Sequence, residues 1–341
     1  MTPYEIHPFY FPTTVVFVDD NADFLANLGL QLDSRLAFRM FRSPIDALIA
    51  LNGNAAGPPP VRGFFAPYRD REDDDLSLHV IDISLKIIHR EVYNEKRFEQ
   101  VSVVVVDFEM PEIDGLEFCR SIKNPLVRKI LLTGEADERT AVKAFNKGVI
   151  DRFIRKQDAE AMTSLNQAIG DMQQLYFGRL EQMLSDVLSV GHPRFLQDNK
   201  FAERFRQIRK NLGIVEYYLT CLPDGMLMLD ARGAPYLLIV RNEVDIRDDH
   251  DIAYDQAAPA ELLEALRSGR VVPYFWKTEG YYTPIYRDNW RTCLHPATEF
   301  HGNDWYLYAI VKEPAAFNLE YVLSYGEYLD QLDEAERGSG G

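Results

Sequence analysis

Acidic residues follow two strongly apolar runs in the first half of the chain. The run Val103–Val106 ends in Asp107. The run Val15–Val18 ends in the pair Asp19 and Asp20. Short runs rich in β-branched residues are typical of strands buried on both faces, as in a parallel sheet flanked by helices. Such sheets bind ligands at the carboxyl ends of their strands, so we expect the three carboxylates to meet at one edge. A hard divalent cation such as Mg²⁺ would relieve their mutual repulsion.

Two further apolar runs end in residues that suit phosphoryl chemistry. Ile130–Leu132 is followed by Thr133 and Gly134, and Phe153-Ile154 is followed, after one residue, by Lys156. Phosphoryl transfer needs mainly positioning and charge neutralisation, which a hydroxyl, a lysine and a metal can supply. A carboxylate suits the nucleophile because the acyl phosphate that it forms is reactive and reversible. Each residue alone would be read as a helix cap or a solvated charge, but together they predict a functional site at this edge.

The order strand–Asp-Asp, strand–Asp, strand–Thr, strand–Lys, with helical patterns between, resembles the receiver domain of two-component response regulators over about residues 13–165. The resemblance implies an α/β fold with a doubly wound, five-stranded parallel sheet. It implies that Asp107 accepts a phosphoryl group from a sensor histidine kinase or a phosphotransfer protein. It also implies that Phe153 swings inward on activation. The implied Mg²⁺ ligands are Asp19, Asp20, Asp107 and the backbone carbonyl of Glu109, and the implied phosphate-binding or switch residues are Thr133, Gly134, Phe153 and Lys156.

The interval between Asp20 and Asp107 is much longer than the resemblance implies, and the surplus lies at about residues 53–100. It begins with a Pro-rich, charged stretch, which is typical of an exposed loop. An amphipathic helix is predicted next, with its apolar stripe at Ile81, Leu85, Ile88 and Val92. Something must cover this stripe. Either it packs on its own receiver, or it forms a partner or dimer surface. Because the insertion follows a helix, we expect it at the edge opposite Asp107.

A long helical connector is predicted over residues 158–212. Its first part continues the last receiver helix and carries an apolar seam close to a heptad repeat, with one stutter. The seam either pairs with a second copy, giving a homodimer through residues 158–190, or lies on the neighbouring domain; pairing is the favoured reading. Its members are Met162, Leu165, Ile169, Met172, Tyr176, Leu180, Met183, Val187 and Val190.

A second connector helix is predicted from about Asn199 to Leu212, and it carries the main basic concentration of the chain. It could read DNA. However, a helix-turn-helix needs a second short helix after a tight turn, and strand-like residues follow instead. A solvated basic face is therefore the preferred reading. The basic residues are Lys200, Arg204, Arg206, Arg209 and Lys210.

Residues 213–316 predict a separate α+β domain with an antiparallel sheet. A hairpin of Gly225–Asp230 and Tyr236–Val240 precedes a helix at 259–268, and further strands are predicted at 271–276, 281–286 and 305–311. The segment Asp224–Asp230 is similar to the start of PAS-type sensory domains. The many aromatic residues should be core, or some could line a ligand pocket. The acidic stretch Asp245–Asp251 is expected to be a solvated loop. A C-terminal helix and flexible tail fill 317–341.

Composition limits the classes of protein. A chain of 341 residues with 46% hydrophobic residues can hold two or three domains with their own cores. No run reaches the length of a membrane span, and no signal peptide is evident. Three widely spaced cysteines indicate reduced thiols. We therefore expect a cytoplasmic protein. A net charge of −16 makes nucleic acid an unlikely partner.

These patterns predict a response regulator with a receiver at 1–157, the helical connector and a C-terminal output domain that binds a protein or a small ligand. No enzymatic activity is expected beyond self-phosphorylation and dephosphorylation of the receiver, because motifs of the usual cyclic-dinucleotide enzymes are missing. The alternatives are a receiver-controlled enzyme acting on a nucleotide or small metabolite, and a DNA-binding transcription regulator.

Overall fold

The computed structural model describes residues 5–53, 85–134, 138–188, 193–278 and 280–339. The chain divides into two compact units. The parallel-sheet unit comprises residues 12–62, 96–183 and 329–341, and the antiparallel-sheet unit comprises residues 1–11, 63–95 and 184–328. Elements are numbered along the chain, beginning with β1 (Phe9–Tyr10), which belongs to the antiparallel-sheet unit.

Five parallel strands form the sheet of the parallel-sheet unit, in the order β3-β2-β4-β5-β6. The predicted doubly wound, five-stranded sheet is therefore confirmed. The strands are β2 (Thr14–Val18), β3 (Phe38–Phe41), β4 (Val101–Asp107), β5 (Arg128–Thr133) and β6 (Arg152–Arg155). The helices of this part are α1 (Ala22–Gly29), α2 (Pro44–Asn52), α3 (Gly115–Ser121), α4 (Glu138–Asn146) and α5 (Ala161–Leu188).

The central strands are buried on both faces because successive side chains point to opposite sides of the sheet. Val104 and Val106 belong to one hydrophobic cluster, which includes residues of α2, α3 and α4. Val103 and Val105 belong to a second cluster, which includes residues of α1 and α5. This double burial explains the unbroken valine run that precedes Asp107.

Much of the apolar seam of α5 is buried. Leu165, Ile169 and Met172 pack in the cluster shared with α1, and Tyr176 and Leu180 are buried as well. These side chains are buried in the single chain, without a second copy. Their burial accounts for the seam at these positions without pairing, and a homodimer through residues 158–190 stays a prediction. The remaining seam residues, 183–190, have side chains outside the described residues.

The insertion contributes a 3₁₀ helix, Leu85–Tyr93, rather than the predicted amphipathic α-helix. Ile81 lies outside the described residues. Ile88 and Val92 are fully buried in the antiparallel-sheet unit, and the ring of His89 lies edge-on to that of Phe317, with 5.5 Å between centroids. Among the described stripe residues, Ile88 and Val92 are thus covered, and they belong to the antiparallel-sheet unit rather than to the parallel-sheet unit.

A six-stranded antiparallel sheet, in the order β1-β7-β8-β9-β13-β12, forms the second unit, so the α+β prediction is confirmed. Its further strands are β7 (Ile214–Cys221), β8 (Asp224–Asp230), β9 (Pro235–Arg241), β12 (Thr298–His301) and β13 (Trp305–Lys312). A two-stranded sheet pairs β10 (Val271–Pro273) with β11 (Leu294–Pro296). The helices are α6 (Asn199–Leu212), α7 (Glu243–Asp255) and α8 (Ala260–Arg267), and α9 (Tyr325–Ser339) ends the described chain.

The predicted β8–β9 hairpin is confirmed, but two other local predictions are wrong. The acidic stretch expected as a loop lies within α7, where Asn242 and Asp245 form a capping box. The strand expected at 281–286 contains a 3₁₀ helix at Pro284–Tyr286. In this region Phe275 belongs, with neighbouring aromatic residues, to a buried cluster. In the described part of the chain, no helix combines the length and the apolarity needed to cross a bilayer.

Candidate functional site

The carboxyl edge of the parallel sheet brings the three predicted acids together. Val18 is the register partner of Val106, so Asp19 and Asp107 leave neighbouring strands side by side. One oxygen from each of Asp19, Asp20 and Asp107 lies within 4.8 Å of the others. The strand order reverses between β2 and β4, which is where open α/β sheets form their ligand crevice.

Lys156 links two of these acids. Its Nζ donates to Oδ2 of Asp19 at 2.7 Å and lies 2.8 Å from Oδ1 of Asp107. The backbone N–H of Lys156 donates to the carbonyl of Thr133 at 3.1 Å, which fixes the start of the lysine side chain beside β5. A single ammonium group therefore compensates a buried carboxylate pair.

Burial and the ion pairs act in opposite directions on the pKa values of this site. Burial raises the pKa of Asp107, with a smaller contribution from the charge of Asp19, while the hydrogen bond and charge of Lys156 act against it. Burial alone would lower the pKa of Lys156, but its hydrogen bonds to Asp107 and Asp19 raise it overall. The lysine is therefore held in its charged form at neutral pH, ready to neutralise an anion.

Backbone groups hold the two buried carboxylates in place. Oδ1 of Asp107 accepts from the backbone N–H of Phe108 at 2.9 Å, and Oδ1 of Asp19 accepts from that of Asn21 at 2.9 Å. Gly115 packs so closely on the backbone carbonyl of Asp107 that a Cβ at this position would overlap it. Its N–H donates to the carbonyl of Phe108 at 2.9 Å. Only glycine fits where α3 begins against the end of β4.

The remaining predicted residues lie around the same edge. Thr133 is fully buried at the end of β5, and its hydroxyl donates to the carbonyl of Gly134 at 2.9 Å. Glu109 follows β4 with its side chain exposed. Phe153 is half-buried and packs on the cluster that includes α2, α3 and α4. The structure thus places each predicted site residue on the expected strand or loop. Their roles in phosphoryl transfer stay predictions.

The donor set fits a hard divalent cation. All three acidic side chains offer oxygen, the ligand atom that Mg²⁺ prefers, and one oxygen of each lies within 4.8 Å of the others, so small movements would let one ion bind all three. Asp20 is exposed and can turn toward the other two. These observations make the cluster suitable for Mg²⁺, with the carbonyl of Glu109 as the further predicted ligand.

One neighbour of Lys156 was not predicted. The ring centroid of Phe24 lies 4.3 Å from Nζ, within the range of a cation–π contact. Phe24 stands in the first turn of α1, where its N–H donates to Oδ1 of the N-cap Asn21 at 3.0 Å. An aromatic residue in the turn after the acidic pair was the available signal, but it could not show which side chain the ring faces.

Comparison with known proteins gives the same class as the fold and the site. A family model described as the response regulator receiver domain matches residues 87–167, which include Asp107, Thr133 and Lys156. The response regulator LqsR of Legionella pneumophila has a similar structure, with 40% sequence identity, a TM-score of 0.79 and 98% of each chain covered. The chain therefore belongs to the response regulators of two-component signalling.

Receiver domains alone match about half of the chain. One, from an HD domain-containing protein of Pseudomonas fluorescens, is 20% identical over 51% of this chain and 95% of its own, with a TM-score of 0.34. Another, a CheY-like receiver from Methanospirillum hungatei, is 16% identical over 50% of this chain and 98% of its own, with a TM-score of 0.31. No curated protein matches the chain.

Proposed function

We propose that Asp107 accepts a phosphoryl group from a sensor histidine kinase or a phosphotransfer protein, and that the phosphorylated state is read by the antiparallel-sheet unit. The observation that carries this proposal is the convergence of Asp19, Asp20, Asp107 and Lys156 at one sheet edge. A lysine that contacts two buried acids, beside a third acid, can exchange a carboxylate oxygen for a phosphoryl oxygen when a phosphoryl group arrives.

The two oxygens of Asp107 differ in their surroundings. Oδ1 already accepts from the N–H of Phe108 and contacts Lys156, so we assign the attack to Oδ2. Oδ2 forms a bond to phosphorus while the bond from phosphorus to the donor's imidazole nitrogen breaks. The electron pair of that bond leaves with the imidazole, which takes its proton from solvent. The product is an acyl phosphate on Asp107, and the donor histidine is restored.

The neighbouring side chains then have distinct tasks. Asp19, Asp20, Asp107 and the carbonyl of Glu109 would hold Mg²⁺, which supplies neutralisation of the charge on the phosphoryl oxygens. The ammonium of Lys156 exchanges its contact with the carboxylates for a phosphoryl oxygen. The hydroxyl of Thr133 leaves the carbonyl of Gly134 and donates to another oxygen.

The switch residues carry the change away from the site. Movement of Thr133 and Gly134 makes room for Phe153 to turn inward. Phe153 is already half-buried beside α4, so a small rearrangement alters the surface of that region. One covalent route from there to the antiparallel-sheet unit runs through α5, which follows β6. The output partner is proposed to be a protein or a small ligand. A homodimer through residues 158–190 remains a prediction, and mass measurement with and without a phosphoryl mimic tests it.

The test of the proposal is labelling by acetyl phosphate. The full chain with Mg²⁺ should gain one phosphoryl group, and both Asp107→Asn and chelation of the metal should abolish labelling. Asp46→Asn is the matched control, because Asp46 is an exposed acid in the first turn of α2 that does not belong to the acidic cluster, and it should be labelled like the natural chain. Unchanged labelling of Asp107→Asn would contradict the assignment of the phosphoacceptor.

A further inference from the structure

Phe24 and Lys156 form a contact that the family resemblance did not supply. The ring centroid of Phe24 lies 4.3 Å from Nζ of Lys156. An ammonium group has three N–H donors. Two of them face Asp19 and Asp107, at 2.7 and 2.8 Å, and the ring lies close on a further side of the group. Carboxylates and an aromatic ring therefore enclose much of the ammonium, and its side chain is only 24% exposed.

The same short turn fixes the ring and one of the acids. The backbone N–H of Asn21 donates to Oδ1 of Asp19, and the side chain of Asn21 accepts from the N–H of Phe24. Phe24 also packs on the hydrophobic cluster shared by α1 and α5. The ring is thus held by an N-cap and by the core, and it does not depend on Lys156 for its position.

We propose that Phe24 is a positioning residue for phosphoryl transfer, which keeps the ammonium of Lys156 aimed at Asp107 through a cation–π contact. This inference rests on the proposed function. Transfer requires Lys156 to leave its carboxylate partners and meet a phosphoryl oxygen. A neutral partner can hold the ammonium near the site during that exchange without competing for it as another carboxylate would. The ring also excludes water from that side of the lysine.

The first experiment measures the rate of labelling by acetyl phosphate with saturating Mg²⁺. Phe24→Leu keeps an apolar side chain of similar size but removes the ring, and we expect labelling to slow by about fivefold, the effect of a half-buried cation–π contact. Phe24→Tyr keeps a ring and should restore the rate to within about twofold. Phe38→Leu is the matched control, because Phe38 packs on the same cluster and contacts Phe17, and it should label like the natural chain.

The second experiment separates positioning from general packing. Hydrogen exchange of the amides in β2 and β4 is measured for Phe24→Leu, for Lys156→Met and for the double variant. This measurement does not require phosphoryl transfer, so it can be made on Lys156→Met as well. If the ring acts through the ammonium, Phe24→Leu should speed exchange by about fivefold in the natural background and much less when Lys156 is methionine. Equal effects in both backgrounds would overturn the proposal, as would a labelling rate of Phe24→Leu equal to that of Phe38→Leu.

The labelling experiments distinguish a failure of the proposed function from a failure of the role of Phe24. If the natural chain is not labelled, the proposed function fails. If the natural chain is labelled at Asp107 but Phe24→Leu is labelled as fast, only the role of Phe24 fails.

Discussion

Replacing Lys156 by methionine should destabilise the parallel-sheet unit in the absence of a divalent cation. The variant leaves Asp19 and Asp107 facing each other, with side chains that are only 2% and 12% exposed. Breaking a buried ion pair by removing one partner costs about 3–5 kcal/mol. Lys156 is 24% exposed and regains its own desolvation energy when it is removed, so we expect a smaller loss of about 2–3 kcal/mol.

Hydrogen exchange of the β2 and β4 amides, followed with a chelator and then with Mg²⁺, is the suitable assay because it reports this unit alone. Mg²⁺ should stabilise the variant more than the natural chain, since Lys156 no longer competes for the carboxylates. Lys123→Met is the control, because Lys123 is exposed in the loop after α3. Exchange in Lys156→Met as slow as in the natural chain, with chelator present, would refute the view that Lys156 compensates a strained acidic pair.

Three further outcomes follow from the same physical arguments. Asp107→Asn should stabilise the parallel-sheet unit near neutral pH when a chelator is present. Burial raises the pKa of Asp107 above its unfolded value, so the natural chain loses stability as the pH rises through that pKa, and the neutral asparagine avoids this loss. In a pH series of urea unfolding, the extra stability of the variant should therefore vanish in acid. In the antiparallel-sheet unit, burial raises the pKa of Asp249 to about 6 despite its 3.0 Å ion pair with Arg241. Arg241→Met should therefore lower the free energy of unfolding by about 3 kcal/mol above pH 7, where Asp249 is charged, and by clearly less near pH 5, where it is mostly neutral. Thermal unfolding at the two pH values measures this difference. Gly115→Ala should cost about 2 kcal/mol or more, because its Cβ would overlap the carbonyl of Asp107; unaltered denaturation would contradict this geometry.

The parallel sheet and its acidic edge were predictable because each depends on local pattern and topology. A valine run such as Val103–Val106 can satisfy both of its faces only inside a sheet covered by helices. Once the strands are parallel, their carboxyl ends must share one edge, and the residues after them meet there. The sequence pattern does not show that Lys156 pairs with both Asp19 and Asp107, or which carboxylate oxygens its ammonium contacts; only the structure shows this.

The errors arose where tertiary partners or caps outweigh composition. The stretch Asp245–Asp251 looks like a solvated loop, yet Asn242 and Asp245 cap a helix there, and the Asn-x-x-Asp spacing was the missed signal. Apolar stripes at Leu165–Met172 and at Ile88 were correctly read as surfaces that need a cover. A periodic apolar stripe predicts that one face of the helix is buried, but it does not show whether the same unit, the other unit or a second chain covers it.

Asp107 is proposed to carry a phosphoryl group reversibly, under the control of the residues around it. Reduction of the labelled chain with borohydride, which converts an aspartyl phosphate to homoserine, followed by peptide mass mapping, tests this directly. We predict homoserine at position 107 after labelling with Mg²⁺, none there when Mg²⁺ is withheld, and clearly less after the same labelling time in Lys156→Met. Homoserine at another aspartate, with position 107 unmodified, would contradict it.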